Sequence, residues 1–355
     1  MRIFVTGGSG HLGSNLVRRL LLDGHEVVAL AQQGTNNLGL TEGLEGQKLR
    51  IVYGDLREPA SFEKALEGCE VAYHAAALLV TKPGGEKDIY ECNVVGSRNF
   101  LAAAKKAGVR RVVVTGSFSA VGHLPDRASN EDDRFYPFQT TMPYERSKAW
   151  VEHEVLRAVA EGQDVVIATS CAIIGGHDYI PSRMGRLICD FANGKVRAYV
   201  PGGFTFVAAR DLVEGHVLAM EKGRSGQKYI IGSEFLTIDR YVEMAERVTG
   251  KKRPRLRLPH IVMRPIAHVT SFLLARFKPD DPQRLTVGAL RILAQHRNAD
   301  TTKAQTELGY RPTSIEDALR EAYDFFGQRG KIDGYKLSRT APADTASSAE
   351  HRTGS

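Results

Sequence analysis

Tyr144 and Lys148 stand four residues apart in the stretch "PYERSK", 143–148. On a helix that spacing puts both side chains on one face, one turn apart. A free tyrosine titrates at ~10 and is a poor base at neutral pH. A lysine ammonium one turn away favours the phenolate and lowers that value. Such a pair suits proton transfer at an alcohol or ketone oxygen while a hydride moves at the carbon. An ordinary exposed Tyr–Lys pair shares the same spacing, so the surrounding chain must choose between the two readings. The second chemistry-bearing stretch is "VTGGSGHLG", 5–13. Gly7, Gly10 and Gly13 follow G-x-x-G-x-x-G, and Gly8, Gly10 and Gly13 also satisfy G-x-G-x-x-G. Glycines there let the backbone turn tightly and approach a pyrophosphate, with a helix N-terminus behind them to favour negative charge.

That loop has the context it needs. "RIFVTG" (2–7) before it reads as a strand, and the stretch after it carries Leu12, Leu16 and Leu20 on one helical stripe. Further apolar runs at 26–30, 49–55, 70–76, 110–117 and 164–170 are continuous rather than alternating, as in strands covered on both faces. Helical patterns lie between them: from about Pro59 to Leu66, from about Asp88 to Lys106, and from near Tyr144, where Val151, Val155 and Val159 form a packing stripe. This alternation predicts an α/β fold, a Rossmann doubly wound parallel sheet. After about residue 170 the rhythm changes to Gly- and Pro-rich loops, with helices expected at 211–222, 237–249 and 314–327. Residues 1–170 are thus read as the NAD(P)-binding domain. Residues 171–330 form a smaller α+β substrate-binding region, contiguous with the first domain or interleaved with it. Residues 331–355 form a polar, disordered tail.

Composition excludes several classes. The chain has 355 residues, 42% hydrophobic and 25% charged, as in an ordinary globular protein. Its net charge of +7 is spread along the chain and gives no nucleic-acid footprint; the densest cluster, Lys251 to Arg257, reads as a solvated loop. The four cysteines form no C-x-x-C pair and no zinc spacing, so no metal is expected, and they suit reduced thiols in a cytoplasm. No signal-peptide pattern opens the sequence. The longest apolar stretch, from Ile261 to about 277, is broken by Arg264, Pro265 and His268 and reads as a buried amphipathic helix rather than an integral membrane segment.

Taken together, these motifs resemble the extended short-chain dehydrogenase/reductase family, over residues 1 to about 328. "TGGSGHLG" is similar to its glycine motif, "GDL" (54–56) to its adenine segment, "HAAA" (74–77) to the stretch after the fourth strand, and "NVVGSRNF" (93–100) to the helix that follows. "TGSFSAVG" places Ser117 where that family keeps a catalytic Ser or Thr, and "YERSK" matches its Tyr-x-x-x-Lys motif. The stretches 185–203 and 212–234 look most like the dihydroflavonol-reductase-like branch, which includes hopanoid-associated sugar epimerases. Three segments depart from the family pattern: Ser170-Cys171-Ala172, Gly175-Gly176 and "AARD" (208–211).

The resemblance implies an NAD(P)-dependent enzyme with Ser117, Tyr144 and Lys148 as catalytic residues. Tyr144 would be the acid/base, Lys148 would tune it and hold the cofactor ribose, and Ser117 would hold the substrate oxygen. It further implies cofactor contacts at Gly7, Gly10, His11, Leu12, Gly13, Asp55, Leu56, Ala75, Ala76, Ala77, Tyr144 and Lys148. Within that set, His11 either touches phosphate or caps the helix. Gln32 and Gln33 end the second strand, where an NAD site usually carries a carboxylate for the ribose; its absence tilts the expectation toward NADP(H). Ser119 is a weaker alternative to Ser117. His74 and Asn93 read as structural or cofactor-lining, and Cys171 as a small buried residue. The expected partner is a small, fairly apolar molecule carrying a ketone or secondary alcohol, with a homodimer as the expected assembly. Two other readings stay open. One is a nucleotide-sugar epimerase or dehydratase with retained NAD, for which Arg183, Arg186, Arg197 and Arg210 supply cations. The other is a non-catalytic NADP-binding regulator, disfavoured because both Tyr144 and Lys148 are present.

Overall fold

The apolar runs pair as strands along one parallel sheet. The computed structural model describes residues 1–79, 85–138, 142–263, 265–266 and 287–337. Its strands are β1 (Arg2–Thr6), β2 (Glu26–Ala31), β3 (Leu49–Tyr53), β4 (Val71–His74), β5 (Arg111–Ser117), β6 (Val165–Ser170), β7 (Ala172–Ile174), β8 (Ala198–Tyr199), β9 (Gly203–Ala208), β10 (Lys228–Ile231), β11 (Glu234–Thr237) and β12 (Leu256–Arg257). The main sheet has seven strands in the order β10-β6-β5-β4-β1-β2-β3. Every neighbouring pair in it is parallel. The order reverses between β1 and β4, where such sheets open a ligand crevice at their carboxyl ends.

Both faces are covered, which is why the strands read as unbroken apolar runs. Alternate residues along β1 go to opposite sides. Ile3 and Val5 pack under Leu12, Leu16 and Leu20 of the first helix, His11–Leu22. Phe4 packs on the other side with Phe100, Val151 and Val155. The halves of the chain interleave. Strand β10 adds to β6, and the helix Ala209–Lys222 contributes Leu212, Val213 and Val217 to the first core. A smaller α+β lobe gathers around β9, which pairs parallel with β7 and antiparallel with β11. Its core holds Phe191, Phe206, Tyr241, Leu319 and Phe326.

Several elements differ from their sequence expectation. The stretch from Pro59 forms two short 3-10 turns, Pro59–Ser61 and Glu63–Leu66, with Pro at the start of the first. The helix expected from Asp88 begins at Glu86 and carries a π-helical turn at Tyr90–Val95 before it resumes as Gly96–Lys106. A helix at Arg183–Ala192, capped by Ser182, lies in a region read as loop. Of the stretch expected as a buried helix from Ile261, residues 264 and 267–286 lie outside the described residues. In its described part Met263 is buried, while Ile261, Val262 and Ile266 are exposed. Among the described residues no helix is long and apolar enough to cross a membrane.

The chain also stays packed past Lys331. Ile332 is buried against the small-lobe core, and the Tyr335 ring lies 5.4 Å from that of Tyr323. Residues 338–355 of the expected tail lie outside the described residues. Ile332→Ala should therefore destabilise the protein by ~2 kcal/mol, the low end for truncating a buried aliphatic side chain. Urea unfolding checks this, and an unchanged midpoint would show that the segment does not dock.

Candidate active site

The glycine loop sets the first wall of the site. Gly7 has φ +70°, a left-handed conformation, and a Cβ there would sit 2.7 Å from the Ala76 backbone. A Cβ at Gly13 would lie 2.0 Å from the Gly7 carbonyl oxygen. Backbone therefore meets backbone where the first helix leaves β1, and the Gly10 N–H donates to the Gly7 carbonyl at 3.0 Å. A groove of about 420 Å³ opens over this cradle. It is lined by Gly7, Gly10, Gln32, Asp55, Leu56, Ala75, Ala76 and Ala77, so eight residues named from sequence come together. The cradle a Cβ would fill, at the switch point of the sheet and before a helix N-terminus, fits a dinucleotide.

Three of the named residues also pack the loop itself. Leu12 is buried in the core, and Gly13 is spent on the helix–loop contact. His11 turns its imidazole away from the groove. Its Nε2 meets the Gly176 carbonyl at 3.1 Å, and burial lowers its pKa against the opposing pull of Asp178. His74 is a neutral brace: Nδ1 bonds Thr6 Oγ1 and Nε2 bonds Ser97 Oγ, both at 2.8 Å, and burial pushes its pKa down to about 3. Asn93 ties the Leu78 backbone (2.6 and 3.0 Å) to Ser147 Oγ (3.0 Å), joining the groove wall to the helix that carries Tyr144.

Sequence reasoning missed Ser9, Thr35, Arg57 and Ile180, which also line the groove. Arg57 immediately follows "GDL" and holds Asp55 at 2.6 Å, keeping that carboxyl below its usual range. Its place next to the adenine segment was the available signal. Ile180 lies far along the chain and had none.

The residues expected to act on the substrate oxygen lie at the carboxyl end of β5. Ser117 closes that strand and opens a 3-10 turn, Phe118–Ala120. Its Oγ accepts from the Ser119 N–H at 3.3 Å and shares a 2.8 Å bond with Ser119 Oγ. Tyr144 begins the helix Pro143–Ala160, which starts on Pro143 and is capped by Glu145 through the Met142 N–H at 2.8 Å. Val151 and Val155 on that helix face the sheet, as their spacing predicts. The start of this helix packs against β5 and the turn after it, which sets the Tyr144 phenol near Ser117. Burial raises its pKa, while Ser117 and the charge of Arg183 pull it back. The phenol is thus protonated at neutral pH and ready to donate.

Lys148 lies on the same helix, one turn on from Tyr144. It is buried, its ammonium donates to the Thr115 carbonyl at 2.8 Å, and burial brings its pKa down to about 8. Among the described residues the cation acting on the phenol is Arg183, at the start of the helix Arg183–Ala192. Of the other arginines considered for a substrate diphosphate, Arg210 is engaged by Glu321 and Thr313. Arg186 donates to the Pro181 carbonyl. Cys171 is buried, and burial raises its thiol pKa.

The depressed value of Lys148 carries a stability signature. Between about 8 and its free-chain value the unfolded chain holds a proton that the fold does not, so stability from this group rises with pH over that window. Relative to the parent, Lys148→Met should be more favourable at pH ~7 than at pH ~9.5 by this linkage. Urea unfolding of both proteins at the two values tests it; a stability difference independent of pH would contradict a buried, charge-strained lysine.

The profile of the NAD dependent epimerase/dehydratase family matches residues 3–232. Sterol demethylase protein B of Methylococcus capsulatus is 42% identical over 332 residues, 94% of this chain and 100% of that protein. A putative dihydroflavonol 4-reductase of Synechocystis is 32% identical, over 93% of this chain and 95% of its own. The crystal structure of gox2253 superposes with a TM-score of 0.81 at 30% identity, over 93% of this chain and 99% of that one.

Proposed function

The chain belongs to the NAD dependent epimerase/dehydratase family, and on that premise we propose that it interconverts a ketone and a secondary alcohol on a small, fairly apolar molecule. The observation that carries this reading is the placement of Ser117, at the carboxyl end of β5 beside the glycine cradle, against the helix that begins at Pro143 and Tyr144. The bound cofactor supplies or accepts the hydride. In the reducing direction Ser117 holds the substrate oxygen and the protonated Tyr144 phenol donates to it as negative charge develops there. In the oxidising direction the phenolate is needed, and Ser117 and Arg183 favour it. Lys148 is assigned the ribose hydroxyls, released from the Thr115 carbonyl when cofactor binds. Sterol demethylase protein B is named for a sterol, a largely hydrocarbon ring system, which supports an apolar substrate here.

For the cofactor we infer a preference for NADP(H). It rests on the neutral Gln32 at the end of β2 and on Arg57, a cation lining the same groove. Gln32→Asp should shift preference toward NAD, because a carboxylate there repels a 2′-phosphate and holds a free 2′-hydroxyl. Titration of nicotinamide fluorescence measures it; a parent protein that binds NADH more tightly than NADPH would overturn the assignment.

A nucleotide-sugar epimerase or dehydratase is the second reading, favoured by Arg183, which stands exposed beside the reacting phenol. Native mass spectrometry separates the two: retained NAD supports the epimerase, and an empty protein that reduces added cholestanone with NADPH supports the reductase. With an accepted ketone, Tyr144→Phe should slow single-turnover hydride transfer by at least ~100-fold while fold and cofactor binding survive. Ser117→Ala should act mainly on turnover. A Tyr144→Phe protein reacting at the parent rate would end the assignment.

A further inference from the structure

Two arginine contacts, one buried and one half-buried, reach the elements that carry Ser117 and Tyr144 from the stretch after the helix Val287–Ala294 begins. Arg297 is 5% exposed. Its Nη2 donates to the carbonyls of Phe118 (3.0 Å) and Val121, its Nη1 to that of Ser119 (3.4 Å), and its guanidinium lies 5.2 Å from the centre of the Phe118 ring. It therefore grips every side of the 3-10 turn that starts at Ser117. Arg291 donates to Glu145 Oε2 at 2.5 Å, and Glu145 is the buried cap beside Tyr144. The stretch between these arginines and Asp300 is itself pinned. The Thr205 N–H donates to the Arg297 carbonyl (3.2 Å), the Ser129 N–H to that of Asn298 (2.8 Å), and the Asp300 N–H to that of Ser129 (2.8 Å).

We propose that residues 291–300 form a strap that positions the acid/base pair, Arg297 fixing the Ser117 turn and Arg291, through Glu145, fixing the start of the Tyr144 helix. The inference rests on reading Ser117 and Tyr144 as the reacting pair. A guanidinium buried against backbone carbonyls, with no carboxylate among the described residues bonded to it, pays a heavy desolvation penalty that an apolar side chain would avoid. Its planar fork can span several carbonyls at fixed angles, which a lysine cannot do. The turn's carbonyls end a helical segment, where a cation is favoured. Among the described residues the Ser117 Oγ bonds Ser119, and without the fork the turn that carries both serines is free to drift relative to Tyr144. Arg297 touches no reacting atom, so it is a positioning residue.

The test compares Arg297→Met, Arg297→Lys, Ser117→Ala and the double variant Arg297→Met/Ser117→Ala, using NADPH and cholestanone in single-turnover hydride transfer. Arg297→Met should slow transfer by on the order of tenfold or more, because small displacements of reacting groups are costly. Cofactor affinity should stay within about twofold, since the glycine cradle is remote, and Arg297→Lys should fall between parent and Met. The double variant should react about as slowly as Ser117→Ala alone, because both changes remove one positioned hydroxyl. Hydrogen exchange of residues 115–122 gives a readout that needs no substrate: these amides should lose protection in the Arg297 variants while those of β1 and β4 keep it. If Arg297→Met does not fold, Arg297→Lys carries both measurements. Parent-rate transfer in the Arg297 variants, slowing that multiplies with that of Ser117→Ala, or unchanged exchange at 115–122 overturns the strap. Silent Ser117→Ala and Tyr144→Phe would instead overturn the pair reading beneath it.

Discussion

The structure depends on one place where backbone must touch backbone. Gly7 rests against Ala75 and Ala76, and Gly13 rests against Gly7, with no room for a Cβ at either. That contact lets the first helix start directly at the end of β1. It also keeps the β1–β4 crevice open for a bulky phosphorylated ligand rather than for a side chain. The parallel sheet then places the carboxyl ends of β1, β4, β5 and β6 along one edge, so the groove and the Ser117–Tyr144 contact fall next to each other. Asn93 links the two, because it bonds both the groove wall at Leu78 and Ser147 on the reacting helix.

Around that edge the protein buries ionisable groups and sorts their proton states. His74 and His216 are held neutral by burial, at about 3 and about 4, and serve as hydrogen-bond braces to Thr6 and Thr115. Lys148 is pulled to about 8 on the carbonyl of the same Thr115. Tyr144 is pushed the other way, and its protonated phenol is matched to donation at neutral pH. Neutral braces hold the frame, while charge near the phenol comes from Arg183 at the rim.

Much of this was legible in the sequence. Continuous apolar runs located the first six strands to within a few residues, because a parallel sheet covered on both faces leaves that pattern. The glycine spacing located the cradle, and the Tyr-x-x-x-Lys spacing located the helix Pro143–Ala160. The parts that escaped depend on tertiary contact. The π-helical turn at Tyr90–Val95 aims Asn93 and has no period of its own. Strand β10 joins the main sheet from beyond a long excursion. Leu12 and His11 belong to the glycine motif, yet packing turns one into the core and the other toward Gly176. Spacing put Lys148 one turn from Tyr144, but its long side chain found the Thr115 carbonyl instead. Arg297 lies 180 residues after Ser117, and nothing local marks it.

A crystal structure of the protein with oxidised cofactor and a bound alcohol would show whether one substrate oxygen sits between Ser117 and Tyr144. The alcohol oxygen should lie within hydrogen-bond distance of both Ser117 Oγ and Tyr144 Oη, with Lys148 turned from Thr115 toward the ribose. A reacting oxygen held by other side chains, with Tyr144 left in contact with Ser117 alone, would contradict that placement.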